Sequence, residues 1–189
     1  MKNFNHYQDL TFYTIEENLE IIYYCLNTPK KAGTNSCYGM TALILLASTI
    51  DAIGTFYRKG DGNFQGLTIK TIKARDLGGV KSHFEHFYDK FLQGKCVKTV
   101  FLKEFYQYAR CLGIHNGTLH PEVRVTMNKN DKGLVIERKH SNTFIYLNEL
   151  YSCVKAAYDL VKKASSTPLT LERVGPTTGG TITNKSSCR

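Results

Sequence analysis

The sequence predicts a mainly α-helical protein, a bundle of about five helices with a small β-hairpin before the last helix. Two observations predict this class. Apolar residues recur at helical spacing in five segments, and two short segments near position 130 alternate polar and apolar residues instead. The chain of 189 residues, 42% of them hydrophobic, is long enough for one domain with a substantial core. We expect this domain to span residues 1–164, and residues 165–189, rich in Ser, Thr and Gly, to form a flexible tail.

The first two helices are predicted at Ile15–Asn27 and Met40–Tyr57. Thr14 and Glu17 fit the S/T-x-x-E capping box that opens many helices, and residues 1–13, which have no clear period, are expected to be irregular. The second segment is apolar on nearly every side, which predicts a central, buried helix.

One carboxylate interrupts the apolar surface of the second helix. An ionised Asp51 is costly in such a helix unless it is paired or hydrogen-bonded. Arg58 and Arg110 are candidate partners, and with either of them Asp51 would belong to a functional site. The alternative is that Asp51 lies at a solvent-facing edge of the helix and has no such role.

The third helix is predicted at Val80–Leu92, after a glycine- and lysine-rich loop at residues 59–79. His83, Glu85 and His86 could be read as metal ligands. An H-x-x-H pair without a third ligand is weak support, however, and surface histidines are commoner. We therefore expect neither a metal nor a cofactor.

The fourth helix, at Val97–Gly113, ends beside the most chemically suggestive group in the chain. Glycine favours a helix stop at residue 113, and Arg110, His115 and Asn116 surround that stop. A permanent cation and a group that titrates near neutral pH could together handle a phosphate. Alternatively, Arg110 pairs with a carboxylate and His115 caps the last helical carbonyls.

Helix geometry bears on the first of these interpretations. Five residues of an unbroken α-helix turn about 500°, so Arg110 and His115 would point about 140° apart. They could converge only if the backbone leaves the helix between them, as Gly113 permits, or if a second copy of the chain supplies one of the two groups.

The remaining elements follow this helix. Glu122–Asn128 and Gly133–Lys139 alternate polar and apolar residues around the turn sequence NKNDKG, which predicts a β-hairpin. From Asn142 to Lys163, apolar residues again recur at helical spacing and predict the last helix.

The chain carries a formal net charge of +9, from 25 Lys and Arg against 16 Asp and Glu. Such a charge attracts polyanions, so nucleic acid or an acidic protein is an expected partner, although the same charge could merely keep the surface soluble. The six cysteines include no C-x-x-C pair, the sequence opens without a secretory signal, and its most apolar segment is too short for a bilayer. These observations predict a cytoplasmic protein with reduced thiols and no membrane partner.

Residues 110–115 spell R-C-L-G-I-H, an arginine and a histidine separated by four residues at the end of a bundle helix. This resembles the R-x4–6-H motif of the HEPN superfamily (higher eukaryote and prokaryote nucleotide-binding domains). The longer phrase RCLGIHNGTL is similar to segments of bacterial HEPN proteins in which a hairpin and a last helix follow. The resemblance covers about residues 14–164, so the predicted domain at residues 1–164 would be HEPN-like.

The resemblance implies a metal-independent endoribonuclease of the kind found among toxins and antiviral effectors, acting as a two-fold dimer whose motifs meet at the interface. Carried over by position, Arg110 would hold the scissile phosphate, and His115 would act as general acid or base on the RNA 2′-hydroxyl. Asn116, Asp51 and Arg58 would orient these groups or contact RNA. The implied partners are RNA, a second copy of the chain and, for a toxin, an antitoxin protein.

The sequence departs from the family pattern at Cys111, because catalytic members usually carry a polar residue directly after the arginine. The alternative is a non-catalytic HEPN-like module that binds nucleic acid or protein and dimerises. A third interpretation is a purely structural dimer in which Arg110 and Asp51 form an internal ion pair.

Overall fold

The computed structural model describes residues 7–28, 38–57, 62–67, 80–111 and 119–166. These residues form five helices and a three-stranded sheet, which confirms the mainly α-helical class. From position 167 onward the predicted tail lies outside the described residues. The helices are α1 (Tyr7–Asn27), α2 (Gly39–Gly54), α3 (α-helical over Val80–Phe87 and π-helical over Tyr88–Leu92), α4 (Lys98–Val100, then π-helical over Phe101–Cys111) and α5 (Leu147–Ser166).

α2 is the central helix of the bundle and packs against α1, α3, α4 and α5. Its buried residues lie on more than one side, as its nearly continuous apolar sequence predicted. Because burial of apolar area is the main favourable term in folding, α2 is the scaffold on which the other helices are arranged.

α1 begins at Tyr7, so the predictions of irregular structure before Ile15 and of a capping box at Thr14 were wrong. Thr14 lies inside the helix, where its hydroxyl donates a hydrogen bond to the Leu10 carbonyl oxygen at 3.0 Å. The additional turns carry Phe12, whose ring stacks on a buried phenylalanine of the core at a centroid distance of 5.1 Å. Tertiary packing therefore extends the helix past a local start signal.

The sheet has the strand order β1-β3-β2, with β1 at Val123–Thr126, β2 at Ile136–Lys139 and β3 at Asn142–Tyr146. β3 is parallel to β1 and antiparallel to β2. The predicted hairpin between the first two strands was therefore wrong, because β3 lies between them. The hairpin that does form joins β2 to β3 through His140 and Ser141, and His140 has a positive φ of 53°.

β3 occupies residues that were predicted as the first turns of the last helix, which begins instead at Leu147. Thr143 and Ile145 are buried, whereas Asn142 and Phe144 between them are only partly buried. This alternation is that of a strand with one face on the core. The strand forms because it brings two side chains into the core while pairing with both neighbouring strands.

Candidate functional site

Asp51 of α2 and His83 of α3 are in direct contact, with Asp51 Oδ1 2.6 Å from His83 Nδ1. An ionised carboxylate can only accept hydrogen bonds, so in a hydrogen bond with an ionised Asp51 the His83 Nδ1–H group is the donor. The His83 side chain is 8% exposed and that of Asp51 is 26% exposed, so the carboxylate is the member of the pair nearer to solvent. His83 is a partner of Asp51 that the sequence interpretation did not name.

The close approach of α2 and α3 at this point depends on Gly54, which lies one turn after Asp51. A Cβ atom at residue 54 would lie 2.4 Å from His83 Cβ and 2.6 Å from the His83 carbonyl oxygen. Real Cβ atoms essentially never come within 3.0 Å of another heavy atom in this way. A glycine is thus needed for the helix contact that brings the carboxylate to the imidazole.

α4 packs against α3 through a cluster of aromatic rings. The ring of Phe84 in α3 lies 6.1 Å from that of Phe101, 6.0 Å from that of Phe105 and 5.0 Å from that of Tyr106. The ring of Tyr88, further along α3, lies 5.9 Å from that of Phe101. The last described turn of α4 ends at Cys111.

Arg110 lies in that last turn of α4. The segment Phe101–Cys111 is π-helical, not α-helical as predicted. In a π-helix, hydrogen bonds join residues five apart, and such helices are rare and frequently found at functional sites. The angle of about 140° expected between residues five apart assumes α-helical geometry, which this segment does not have.

The residues predicted for the site fall into two groups. Asp51 is described with its side chain, and Arg110 is described as part of the α4 backbone. Arg58, His115 and Asn116 lie outside the described residues, so their roles remain predictions. Arg110 and the Asp51–His83 pair lie on α4, α2 and α3, three helices that pack against one another.

His86, one turn after His83 on α3, is a second imidazole in this region. Its Nε2 atom is buried and has no hydrogen-bond partner within the described part of the chain. Burial, and after it the nearby His83, lowers the pKa of His86, which favours the neutral ring. Among the residues that the structure describes, no three His, Cys, Asp or Glu side chains are grouped so that they could hold a metal ion.

Glu104 stands between the apolar positions of the α4 sequence, which predicts that it lies on the polar face of an α-helix, but the residue is only 2% exposed. Its Oε2 atom is buried and has no hydrogen-bond partner in the described ranges. The prediction assumed the α-helical period, whereas the longer π-helical turn changes which residues share a face. A carboxylate left in this state lowers the stability of the fold.

Comparisons with protein-family models, with curated proteins and with solved structures found no match. The resemblance to the HEPN superfamily therefore stays a prediction carried by the motif itself. Over the described residues, no helix combines the length and the apolar character needed to cross a membrane.

Proposed function

We propose that this protein is a cytoplasmic, metal-independent endoribonuclease of HEPN type, a homodimer that cleaves RNA in toxin- or antiviral-style defence. The observation that carries the proposal is the R-x4-H spacing of Arg110 and His115, with Arg110 in the last turn of a helix that packs against α2 and α3, the helices of the Asp51–His83 pair. A guanidinium, a carboxylate and an imidazole are groups that phosphoryl-transfer sites commonly combine.

In this proposal Arg110 binds the scissile phosphate and stabilises the charge that builds on its oxygens, because a guanidinium is always cationic and forks onto phosphate. His115 takes the proton of the RNA 2′-hydroxyl as that oxygen attacks the phosphorus. The 5′-oxygen leaves and takes up a proton, from the protonated His115 or from water, and the products are a 2′,3′-cyclic phosphate and a 5′-hydroxyl. The net charge of +9 supports RNA as the substrate, since a basic surface attracts the phosphate backbone.

A two-fold dimer is the route by which we propose that Arg110 and His115 meet, because an isologous interface brings the same helix end of each chain together.

The test is cleavage of end-labelled single-stranded and structured RNA in EDTA by the wild type and by His115→Ala and Arg110→Ala. We expect both variants to lose cleavage while keeping the helical circular dichroism spectrum, and the wild-type products to carry cyclic-phosphate ends. His140→Ala, which changes an exposed histidine at the β2–β3 turn, is the matched control and should cleave normally. Undiminished cleavage by His115→Ala would remove that residue from the mechanism.

Cys111 favours a second candidate function, a non-catalytic module that binds nucleic acid or protein. It follows Arg110 in the last turn of α4, at the position where catalytic relatives of the motif usually carry a polar residue. Under this alternative, RNA binds with an affinity that falls steeply with salt and is recovered uncut by the wild type.

A further inference from the structure

We propose that the groove between α1 and α5 is a docking site for an arginine side chain in a basic segment of a partner protein. Residues of both helices line this groove, whose volume is about 460 Å³. Pockets that hold small molecules have volumes of about 300–1,000 Å³, so the groove suits one long side chain rather than a folded element. The inference does not depend on the ribonuclease proposal.

Three tyrosines line the groove. The rings of Tyr23 in α1 and Tyr151 in α5 approach each other with their centroids 6.5 Å apart and their planes at 42°. Tyr158, the third, is buried, whereas Tyr23 is 58% exposed. An exposed tyrosine ring offers a π-face that attracts cations, and tyrosine and arginine are both enriched among the residues that dominate binding at protein interfaces.

The carboxylates of the groove give it a charge opposite to that of the whole chain. Glu20 and Asp159 are exposed, and neither forms an ion pair with another described residue. Glu16 differs from them, because its Oε1 atom accepts hydrogen bonds from the Tyr158 hydroxyl and the Lys162 ammonium, each at 2.5 Å. In a chain of net charge +9, a groove with two such carboxylates repels polyanions and attracts a cation.

Lys155 is the cation that lines the same groove. Within the part of the chain that the structure describes, it forms no ion pair with Glu20 or Asp159. Once the Glu16–Lys162 pair is set aside, the groove therefore has two carboxylates against one ammonium, and it can accept a further positive charge.

Arginine fits these surroundings better than lysine does. Its guanidinium is planar, stacks on aromatic rings and donates two parallel hydrogen bonds to a carboxylate. The lysine ammonium is a more strongly hydrated point charge and has no plane to match a ring. In the groove, the guanidinium would lie on the Tyr23 ring and donate to Asp159, and its aliphatic stem would contact the buried Leu19.

The experiment measures binding of three peptides to the ¹⁵N-labelled full chain by the shifts of its backbone amide resonances. The first is acetyl-Gly-Ala-Arg-Ala-Gly-amide, and the other two carry citrulline or lysine in place of the arginine. Citrulline has the shape of arginine without its charge. We expect the arginine peptide to give saturable shifts in α1 and α5, and the citrulline peptide to bind about tenfold more weakly, because it loses a charge-assisted hydrogen bond. The lysine peptide should also bind more weakly than the arginine peptide.

Substitutions in the groove test both the ring and the charge. Tyr23→Leu and Asp159→Asn should each weaken binding of the arginine peptide about tenfold, whereas Lys155→Gln should strengthen it, because a competing cation is removed. Tyr24→Leu, at the neighbouring exposed ring that does not line the groove, and Asp131→Asn, at an exposed carboxylate before β2, are the matched controls. Circular dichroism of each variant checks that the helices are retained.

Three outcomes would overturn this inference. The first is absence of saturable binding by the arginine peptide, and the second is equal binding of the arginine and citrulline peptides. The third is a peptide-free wild type that sediments as a dimer while Tyr23→Leu and Asp159→Asn sediment as monomers, because the groove would then hold a second copy of the chain. None of these outcomes bears on RNA cleavage, which is measured separately.

Discussion

Gly54 of α2 lies directly against the backbone of His83 of α3, with room for a hydrogen atom but not for a methyl group. The two helices touch at this point, and Asp51, one turn earlier, reaches the imidazole because they do. Gly54, which has no side chain, thereby determines the geometry of the contact between Asp51 and His83.

Gly54→Ala is therefore expected to destabilise the protein, although alanine is the better helix former by about 1 kcal/mol. The new Cβ would come within 2.4 Å of His83 Cβ, and overpacking of this kind typically costs about 1–3 kcal/mol or more. Urea unfolding followed by circular dichroism measures the change. Ser48→Ala, at an exposed position of the same helix, is the control. A gain in stability for Gly54→Ala would show that α2 and α3 can separate without cost.

Glu104→Met is expected to stabilise the fold by about 1–3 kcal/mol, because it replaces a buried carboxylate oxygen that lacks a hydrogen-bond partner within the described residues. Methionine has a similar length and no such requirement. Chemical unfolding of the variant measures the gain, and Glu104→Gln, which keeps a buried polar group, should give less of it. A clear loss of stability in Glu104→Met would indicate that the carboxylate has a stabilising partner.

Glu137 of β2 should make the sheet sensitive to acid. The Lys139 ammonium, 2.8 Å from Glu137 Oε2, is the main reason that the pKa of Glu137 falls from 4.5 to about 2, and the Tyr146 hydroxyl adds to it. Folding favours the ionised form of Glu137. The contribution of Glu137 to the free energy of unfolding is therefore present above about pH 4.5 and is lost as pH falls toward 2. The stability difference between the wild type and Glu137→Gln should shrink over that window. Glu122→Gln, at an exposed carboxylate, is the control variant.

Tyr158 of α5 should make the stability of the fold depend on pH in the alkaline range. Burial, together with a 2.5 Å hydrogen bond that its hydroxyl donates to Glu16, raises the pKa of Tyr158 from 10.0 to about 12. Its contribution to stability is therefore complete below pH 10 and is lost as pH rises through 12. Tyr158→Phe should cost about 1–3 kcal/mol near neutral pH and progressively less above pH 10. Tyr24→Phe, at an exposed ring, is the control and should leave stability near neutral pH unchanged.

The helices were the most predictable part of the fold, because the helical spacing of their apolar residues is a local property of the sequence. α2 and α3 begin within a residue of their predicted starts. The start of α1 was missed because it depends on the stacking of Phe12 on Phe56, a contact between residues far apart in the chain. The π-helical geometry of α4 was missed because the apolar pattern alone does not specify the length of a helical turn.

The sheet shows how a correct turn can lead to a wrong pairing. The predicted turn forms, since the Asn130 side chain accepts a hydrogen bond from the backbone N–H of Lys132 at 2.9 Å and Gly133 has a φ of +62°. The segments on either side of it nevertheless do not pair with each other. β3 was not predicted as a strand because it continues into α5 without a glycine or proline between them. The apolar residues of both elements were therefore assigned to a single helix.

The site was predictable only in part. The sequence correctly predicted that Asp51 has a partner, because an unpaired carboxylate is costly in an apolar helix. That partner is His83, which comes from another helix and reaches Asp51 only after α2 and α3 have packed. No local spacing links the two residues, and the H-x-x-H pattern of α3 had suggested only a metal site or a solvated surface.

The order of the strands has a consequence for how the protein is made. β1 and β2 each pair with β3 and not with each other, so both leave the ribosome before the strand that joins them. A nascent chain that ends before Asn142 exposes two sets of unsatisfied backbone groups. Because β3 continues directly into α5, the sheet and this helix should be completed together, in a single cooperative step after β1 and β2 have been synthesised.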